Sequence, residues 1–195
     1  MNKCPCTILI VDDDPDDLFF IARAFRAVGV KDTIHAVLSG GDAISYMMGN
    51  GRFADRREFA FPDLVTTDLN MNGMSGFDVL AQFQKSPAWA VVPRAVLSSS
   101  RDPKEIEKAY QLGACSYLVK SDDFKDLCQS LKDLYDYWRT CEDPNASKIG
   151  RHLHLENEGK RSPTPWPASG INAQTPPPAL RPYNLPVMAG KWLYA

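Results

Sequence analysis

The residues with the strongest chemical potential are carboxylates and a lysine, each placed directly after a short apolar run. Asp12, Asp13 and Asp14 follow Thr7-Ile8-Leu9-Ile10-Val11, Asp68 follows Leu64–Thr67, and Lys120 follows Ser116–Val119. The hydroxyl run Ser98-Ser99-Ser100 closes a further apolar stretch, Ala95–Leu97. Carboxylates gathered within a few ångströms repel, and one of them holds a proton unless a cation neutralises the group. Hard oxygen ligands with open positions suit Mg²⁺, which keeps several waters and accepts phosphoryl oxygens. A lysine beside such a site stabilises a transferring phosphoryl group as a point charge, and a hydroxyl hydrogen-bonds the product. A carboxylate can itself be the covalent acceptor. Taken singly, these residues have plainer readings, because an acidic run is ordinary helix-start chemistry and a lone Asp or Lys at a loop is ordinarily solvated. Their recurrence at successive strand ends is what points to a site.

The elements that would gather them are legible from periodicity. Thr7–Val11 is a continuous run rich in β-branched residues, as a strand buried on both faces requires. Asp14 can cap the helix that follows, with Pro15 at its first position and Asp16 and Asp17 favoured by the helix dipole. Leu18, Ile21, Ala22, Phe25 and Val28 then repeat at helical spacing until Gly29. The pattern recurs: strands over Thr33–Leu38, Leu64–Thr67, Ala95–Leu97 and Ser116–Val119, helices over Asp42–Met48, Gly76–Gln84 behind Ser75, a stretch ending at Gly113, and Asp123–Thr140. Asp102-Pro103-Lys104-Glu105 has the form of a capping box. Asn50–Pro62 is a polar loop with embedded aromatics. Five βα units predict a doubly wound α/β fold, its parallel sheet covered on both faces. In such a sheet the reactive crevice lies beyond the carboxyl ends of the strands, where Asp12, Asp13, Asp68 and Lys120 would meet.

Composition narrows the rest. The chain has 195 residues, 44% hydrophobic and 24% charged, which suits one soluble domain. No apolar run reaches the roughly 18–20 residues of a membrane span, and the N-terminus runs straight into a strand, so a cytoplasmic protein is expected. Five cysteines (Cys4, Cys6, Cys115, Cys128, Cys141) show no metal-ligand spacing and read as thiols in a reducing compartment. Residues 1–144 carry 16 Lys and Arg against 22 Asp and Glu, and residues 145–195 carry 6 against 2. An acidic domain of this kind argues against direct nucleic-acid binding. Ser162–Ala195 holds eight prolines in 34 residues, so 141–195 is expected to be a mostly disordered Pro-rich tail behind a domain over 6–140. Trp192-Leu193-Tyr194 closes that tail with a candidate docking patch.

The motifs resemble the receiver domain of two-component response regulators. The resemblance is carried by Ile8-Leu9-Ile10-Val11-Asp12-Asp13-Asp14-Pro15, Asp68-Leu69-Asn70-Met71-Asn72-Gly73-Met74-Ser75-Gly76, Leu97-Ser98-Ser99, Gly113-Ala114 and Tyr117-Leu118-Val119-Lys120. It implies a flavodoxin-like sheet of order 2-1-3-4-5 and a phosphoacceptor rather than a turnover enzyme. By position, Asp68 resembles the phospho-acceptor. Mg²⁺ would be held by Asp13, Asp68 and the backbone carbonyl of Asn70, with Asp12 acting through a water. Ser98 and Ser99 match the phosphate-binding switch, Tyr117 the aromatic that swings inward, and Lys120 the phosphate counter-ion. The implied partner is a sensor histidine kinase, with output through contacts to a downstream protein. The acidic start, the long loop before Pro62 and the aromatic-rich last helix are similar to stand-alone receivers paired with phytochrome-type kinases. Two positions depart from the family: Ser121 and Asn72 stand where proline is usual. Without proline a cis bond after Lys120 costs about 2.5–4 kcal/mol, so a trans bond is expected there, displacing Lys120.

Two other readings share parts of this pattern. A haloacid-dehalogenase-type phosphatase also forms an aspartyl-phosphate but needs a general acid two residues on, where this chain has Asn70. An FMN binder shares the architecture, yet Asp12-Asp13-Asp14 would repel the FMN phosphate. Finally, Phe124, Leu127, Leu131, Leu134 and Trp138 form the stripe that should pack on the sheet, while Cys128, Tyr135 and Tyr137 add apolar surface beside it. That excess, densest at Leu134, Tyr135, Tyr137 and Trp138, predicts an exposed patch and a homodimer.

Overall fold

All five apolar runs become parallel strands, β1 (Thr7–Val11), β2 (Thr33–Val37), β3 (Leu64–Thr67), β4 (Arg94–Ser98) and β5 (Ser116–Val119), in the order β2-β1-β3-β4-β5. The computed structural model describes residues 6–141. The expectations for Cys4, for the Pro-rich tail and for Trp192-Leu193-Tyr194 lie outside them. Helices α1 (Pro15–Ala27), α2 (Gly40–Met48), α3 (Gly76–Lys85), a short α4 (Pro87–Ala90), α5 (Pro103–Gln111) and α6 (Phe124–Thr140) connect and follow the strands.

The alternation within β1 builds both layers of the core. Leu9 and Val11 join Tyr46 and Met47 of α2 and Val79 and Phe83 of α3 on one face. Ile8 and Ile10 join Leu18, Ile21 and Phe25 of α1 and Leu127 and Leu131 of α6 on the other. A satellite cluster of Leu69, Leu80, Val96, Ala109 and Ala114 ties α5 to β4 and α3. A central strand buried on both sides explains the continuous apolar run that marks β1 in the sequence.

Helix starts follow the expected capping chemistry with small differences. Asp14 accepts the Asp16 N–H at 2.8 Å, and Ser39 accepts that of Asp42 at 3.0 Å, which moves the start of α2 two residues earlier than periodicity alone places it. Ser75 and Asp78 form a reciprocal capping box on α3. The box expected at α5 is only half made: Asp102 accepts the Lys104 N–H, while the Glu105 Oε2 is buried without a hydrogen-bond partner. The loop before β3 is more ordered than its polar composition implies. It contains a 3₁₀ turn (Gly51–Phe53), Phe53 is buried, and the Tyr46 hydroxyl donates to the Ala60 carbonyl at 2.7 Å. Neither the 3₁₀ turn nor α4 is long enough to show a period in the sequence.

The structure corrects the expectation for α6. Leu134 is buried, and Tyr135 and Trp138 pack with Cys128 against the cluster beneath α1. The Tyr135 hydroxyl donates to Asp32 at 2.7 Å; burial and this carboxylate push its pKa up to about 12. Arg139 lies over both rings, 5.9 Å from that of Tyr135 and 6.0 Å from that of Trp138. The broad exposed patch therefore reduces to Tyr137, which stays 47% exposed. The reason is lateral: neighbouring α1 and the turn before β2 cover flanks of α6 that packing on the sheet alone would leave open.

One glycine sets the seat of the central strand's end. A Cβ at Gly76 would lie 2.0 Å from the carbonyl oxygen of Asp68, and the Gly76 N–H donates to Leu69 at 3.0 Å, so the start of α3 rests directly on that backbone. Gly76→Ala should lower stability by about 2–4 kcal/mol in urea unfolding, because backbone on both sides must move. A loss below about 0.5 kcal/mol would show that the contact yields freely.

Candidate functional site

Register brings the acidic residues together. Val11 of β1 pairs with Thr67 of β3, so Asp12 and Asp68 emerge side by side one residue later. The ladder carries on to both: the Asp68 N–H donates to Val11 at 2.9 Å and the Asp12 N–H to Val37 at 3.2 Å. Across the sheet Ser98 pairs with Val119, and the Lys120 N–H donates to Ser98 at 2.8 Å. Asp12, Asp68 and Lys120 are thus fixed by the sheet itself rather than by flexible loops.

Lys120 is the electrostatic centre. Its Nζ lies 2.7 Å from Asp12 Oδ2, 2.7 Å from Asp17 Oδ2 and 3.1 Å from Asp68 Oδ1. Burial works against the ammonium, but the hydrogen bonds to Asp12 and Asp17 and the field of Asp68 outweigh it and hold its pKa above the ordinary lysine range. Asp12 is only 2% exposed, and burial pushes its carboxyl pKa upward despite Lys120 and the Asp14 N–H, 3.0 Å from Oδ1. The crowding anticipated from the sequence is therefore met by an internal cation. Among the described residues no peptide bond is cis, so the Lys120–Ser121 bond is trans. The Lys120 ammonium lies in the crevice, hydrogen-bonded to Asp12 and Asp17.

Asp68 is held from its own loop as well. Its Oδ2 accepts the Asn70 N–H at 2.5 Å, and Thr67 Oγ donates to its carbonyl at 2.9 Å. Asp13 turns to a different partner: its Oδ2 accepts both the backbone N–H of Asn72, at 2.8 Å, and the Asn72 side-chain amide, at 2.7 Å. Ser98 is fully buried, and its Oγ accepts the Ser100 N–H at 3.3 Å. Tyr117 donates its hydroxyl to the Ser100 carbonyl at 3.0 Å. Ser99 is exposed at the loop.

The oxygen set fits a magnesium ion in composition. Two carboxylates, Asp13 and Asp68, with the Asn70 carbonyl are the kind of partial set that Mg²⁺ completes with waters. Asp12 and Asp68, both buried, share the single ammonium of Lys120, so the crevice carries more carboxylates than cations. Among the described residues no three acidic, histidine or cysteine side chains form a ready-made cage, because Lys120 holds one part of the group and Asn72 another.

Comparison with known proteins decides the family, for the response regulator receiver domain matches residues 8–132. The chain belongs to that family. The receiver is 30% identical over 137 residues to the probable methanogenesis regulatory protein FilR2 of Methanothrix harundinacea, covering 69% of this chain and 84% of that one. It also resembles the phosphorylated cyanobacterial phytochrome response regulator RcpA (28% identity, TM-score 0.66, 73% of this chain and 100% of that one). A third relative is the Mn²⁺-bound form of the response regulator Rcp1, from Synechocystis (25% identity, TM-score 0.64, 72% of this chain and 99% of that one). The five-stranded parallel sheet is accordingly a flavodoxin-like receiver fold.

Sequence reasoning missed two participants. Asp17 was legible only as a residue favoured by the helix dipole, and Asn72 only as a departure from proline. Their roles depend on contacts between distant segments, Asp17 with Lys120 and Asn72 with Asp13, that no local pattern encodes.

Lys120→Met should destabilise the receiver by about 2–4 kcal/mol at neutral pH, because Asp12 and Asp68 would be left buried and unpaired. Asp12 has a folded pKa above its unfolded value, so its contribution is fully present below the unfolded pKa and lost as pH rises through the folded one. Removing Lys120 raises that folded pKa further. The deficit should therefore shrink on acidification, and a pH-independent deficit in thermal unfolding would refute this account.

Proposed function

We propose that Asp68 accepts a phosphoryl group from a phosphorylated histidine of a sensor kinase, and that the receiver passes the signal on through protein contacts. The observation that carries this reading is the Asp68 carboxylate at the end of the central strand, beside buried Asp12 and 3.1 Å from the Lys120 ammonium. An Asp68 oxygen attacks phosphorus, the P–N bond breaks with its electron pair passing to the imidazole nitrogen, and an acyl phosphate forms. Lys120 then exchanges its ion pair with Asp68 for a hydrogen bond to a phosphoryl oxygen, while Asp12 and Asp17 keep theirs. Ser98, released from the Ser100 N–H, offers its hydroxyl to a second oxygen, and Tyr117 loses its tie to Ser100 as that loop moves. Ser99, exposed in the same loop, is a secondary phosphate contact. Asp13, Asp68 and the Asn70 carbonyl, with Asp12 through a water, would hold Mg²⁺, which when bound would supply positive charge to the transferring group.

Residues 6–140 are the phosphoacceptor domain in this reading, acting in the cytoplasm as an acceptor that catalyses its own phosphotransfer from the donor rather than as a turnover enzyme. The likeness to the phytochrome response regulator RcpA supports a phytochrome-type kinase as donor. A homodimer through the C-terminal part of α6 is retained in narrower form. Tyr137 supplies the exposed ring, and Leu134, Tyr135 and Trp138 shape the surface beneath it.

Asp68→Asn should abolish labelling by acetyl phosphate with Mg²⁺, and the unaltered protein should not turn over p-nitrophenyl phosphate; undiminished labelling moves the acceptor elsewhere. For the dimer, sedimentation of the unaltered chain at tens of micromolar should give a dimer and Tyr137→Asp a monomer. A monomer before substitution, phosphorylated or not, removes the dimer from the proposal.

A further inference from the structure

Within the carboxylate group, Asp13 is held by a partner other than Lys120. Lys120 bonds Asp12, Asp17 and Asp68, whereas Asp13 Oδ2 receives both donors of Asn72, the backbone N–H at 2.8 Å and the amide Nδ2 at 2.7 Å. Asn72 stands four residues after Asp68, in the loop that also carries the Asn70 carbonyl and leads to α3. Proline, usual at this place in the family, has neither a backbone N–H nor a side-chain amide, so it can make neither bond.

Two N–H dipoles converging on one carboxylate oxygen are charge-assisted bonds, stronger than bonds between neutral groups. They also direct the positive ends of both dipoles at Oδ2. A cation ligated through Oδ2 must displace at least one donor, since both lone pairs of that oxygen are in use. One ligated through Oδ1 shares a carboxylate whose charge the donors have already drawn upon. Either way the asparagine and the metal compete for the same anion.

We propose that Asn72 is a latch on Asp13, a positioning residue that weakens Mg²⁺ binding by this receiver and makes metal entry conditional on release of the loop after Asp68. This rests on the reading of Asp13 as a metal ligand. Because the latch loop also contributes the Asn70 carbonyl, its release and the completion of the oxygen set are one movement.

The test is calorimetric titration of the full chain with MgCl₂, comparing the unaltered protein with Asn72→Ala, Asn72→Pro and Asp13→Ala, together with thermal unfolding with and without Mg²⁺. Asn72→Ala, which removes one donor, should tighten Mg²⁺ roughly threefold, and Asn72→Pro, which removes both, roughly tenfold. Both variants should melt below the unaltered protein without metal and gain more from Mg²⁺ than it does. A purely structural role would instead lower melting equally in both conditions and leave affinity unchanged, which overturns the latch, as does weaker binding in both variants. Asp13→Ala separates the two ideas: metal affinity as in the unaltered protein sinks the reading of Asp13 as a ligand and the latch with it. Lost affinity there, with no tightening at Asn72, sinks the latch alone.

Discussion

An ammonium group shared among three carboxylates holds this crevice together. Lys120 has three N–H donors and three anionic acceptors, supplied by the end of β1, the first turn of α1 and the end of β3. Without it, the sheet would bring Asp12 and Asp68 into adjacent buried positions with nothing to offset their repulsion. With it, the crevice is net acidic yet stable, a condition that favours a further cation and disfavours an unaccompanied phosphate. Burial raises the Asp12 pKa, and Lys120 works against that rise.

Much of the architecture was readable because the chain states it redundantly. In β1, four consecutive apolar residues after Thr7, an acidic cap and a proline at the first helical position all specify the same strand-turn-helix. All five strands and the five long helices were legible within a few residues. What escaped was structure without a period: the four-residue α4, the 3₁₀ turn, and the packing of the loop before β3 through Phe53, Phe59 and the Arg56 bond to Met47. The surplus apolar surface of α6 was misjudged for a related reason. A helical wheel shows which residues share a face but not that α1 and the turn at Asp32 cover a second flank.

In the site, residue types at strand ends revealed Asp12, Asp68 and Lys120, because register fixes them once the strands are known. Asp17 and Asn72 were visible only as a dipole residue and a missing proline. Both are polar residues in turns, where local chemistry already accounts for them, so their long-range contacts add no further signal to the sequence.

The two departures from the family's usual prolines have different physical consequences. At Ser121 the peptide bond is trans, and the Lys120 head is held in the crevice by Asp12 and Asp17 at the far end of the side chain. A long flexible side chain transmits its terminal constraints better than its backbone origin. At position 72 the change acts the other way. The loop keeps its connection to α3 through the Ser75–Asp78 box and the Gly76 seat, while the replaced residue gains two donors aimed at a site carboxylate. Losing proline after Lys120 is therefore absorbed by geometry, whereas losing it after Asp68 adds an electrostatic bond within the site. The second substitution, not the first, is the one positioned to alter what the crevice binds.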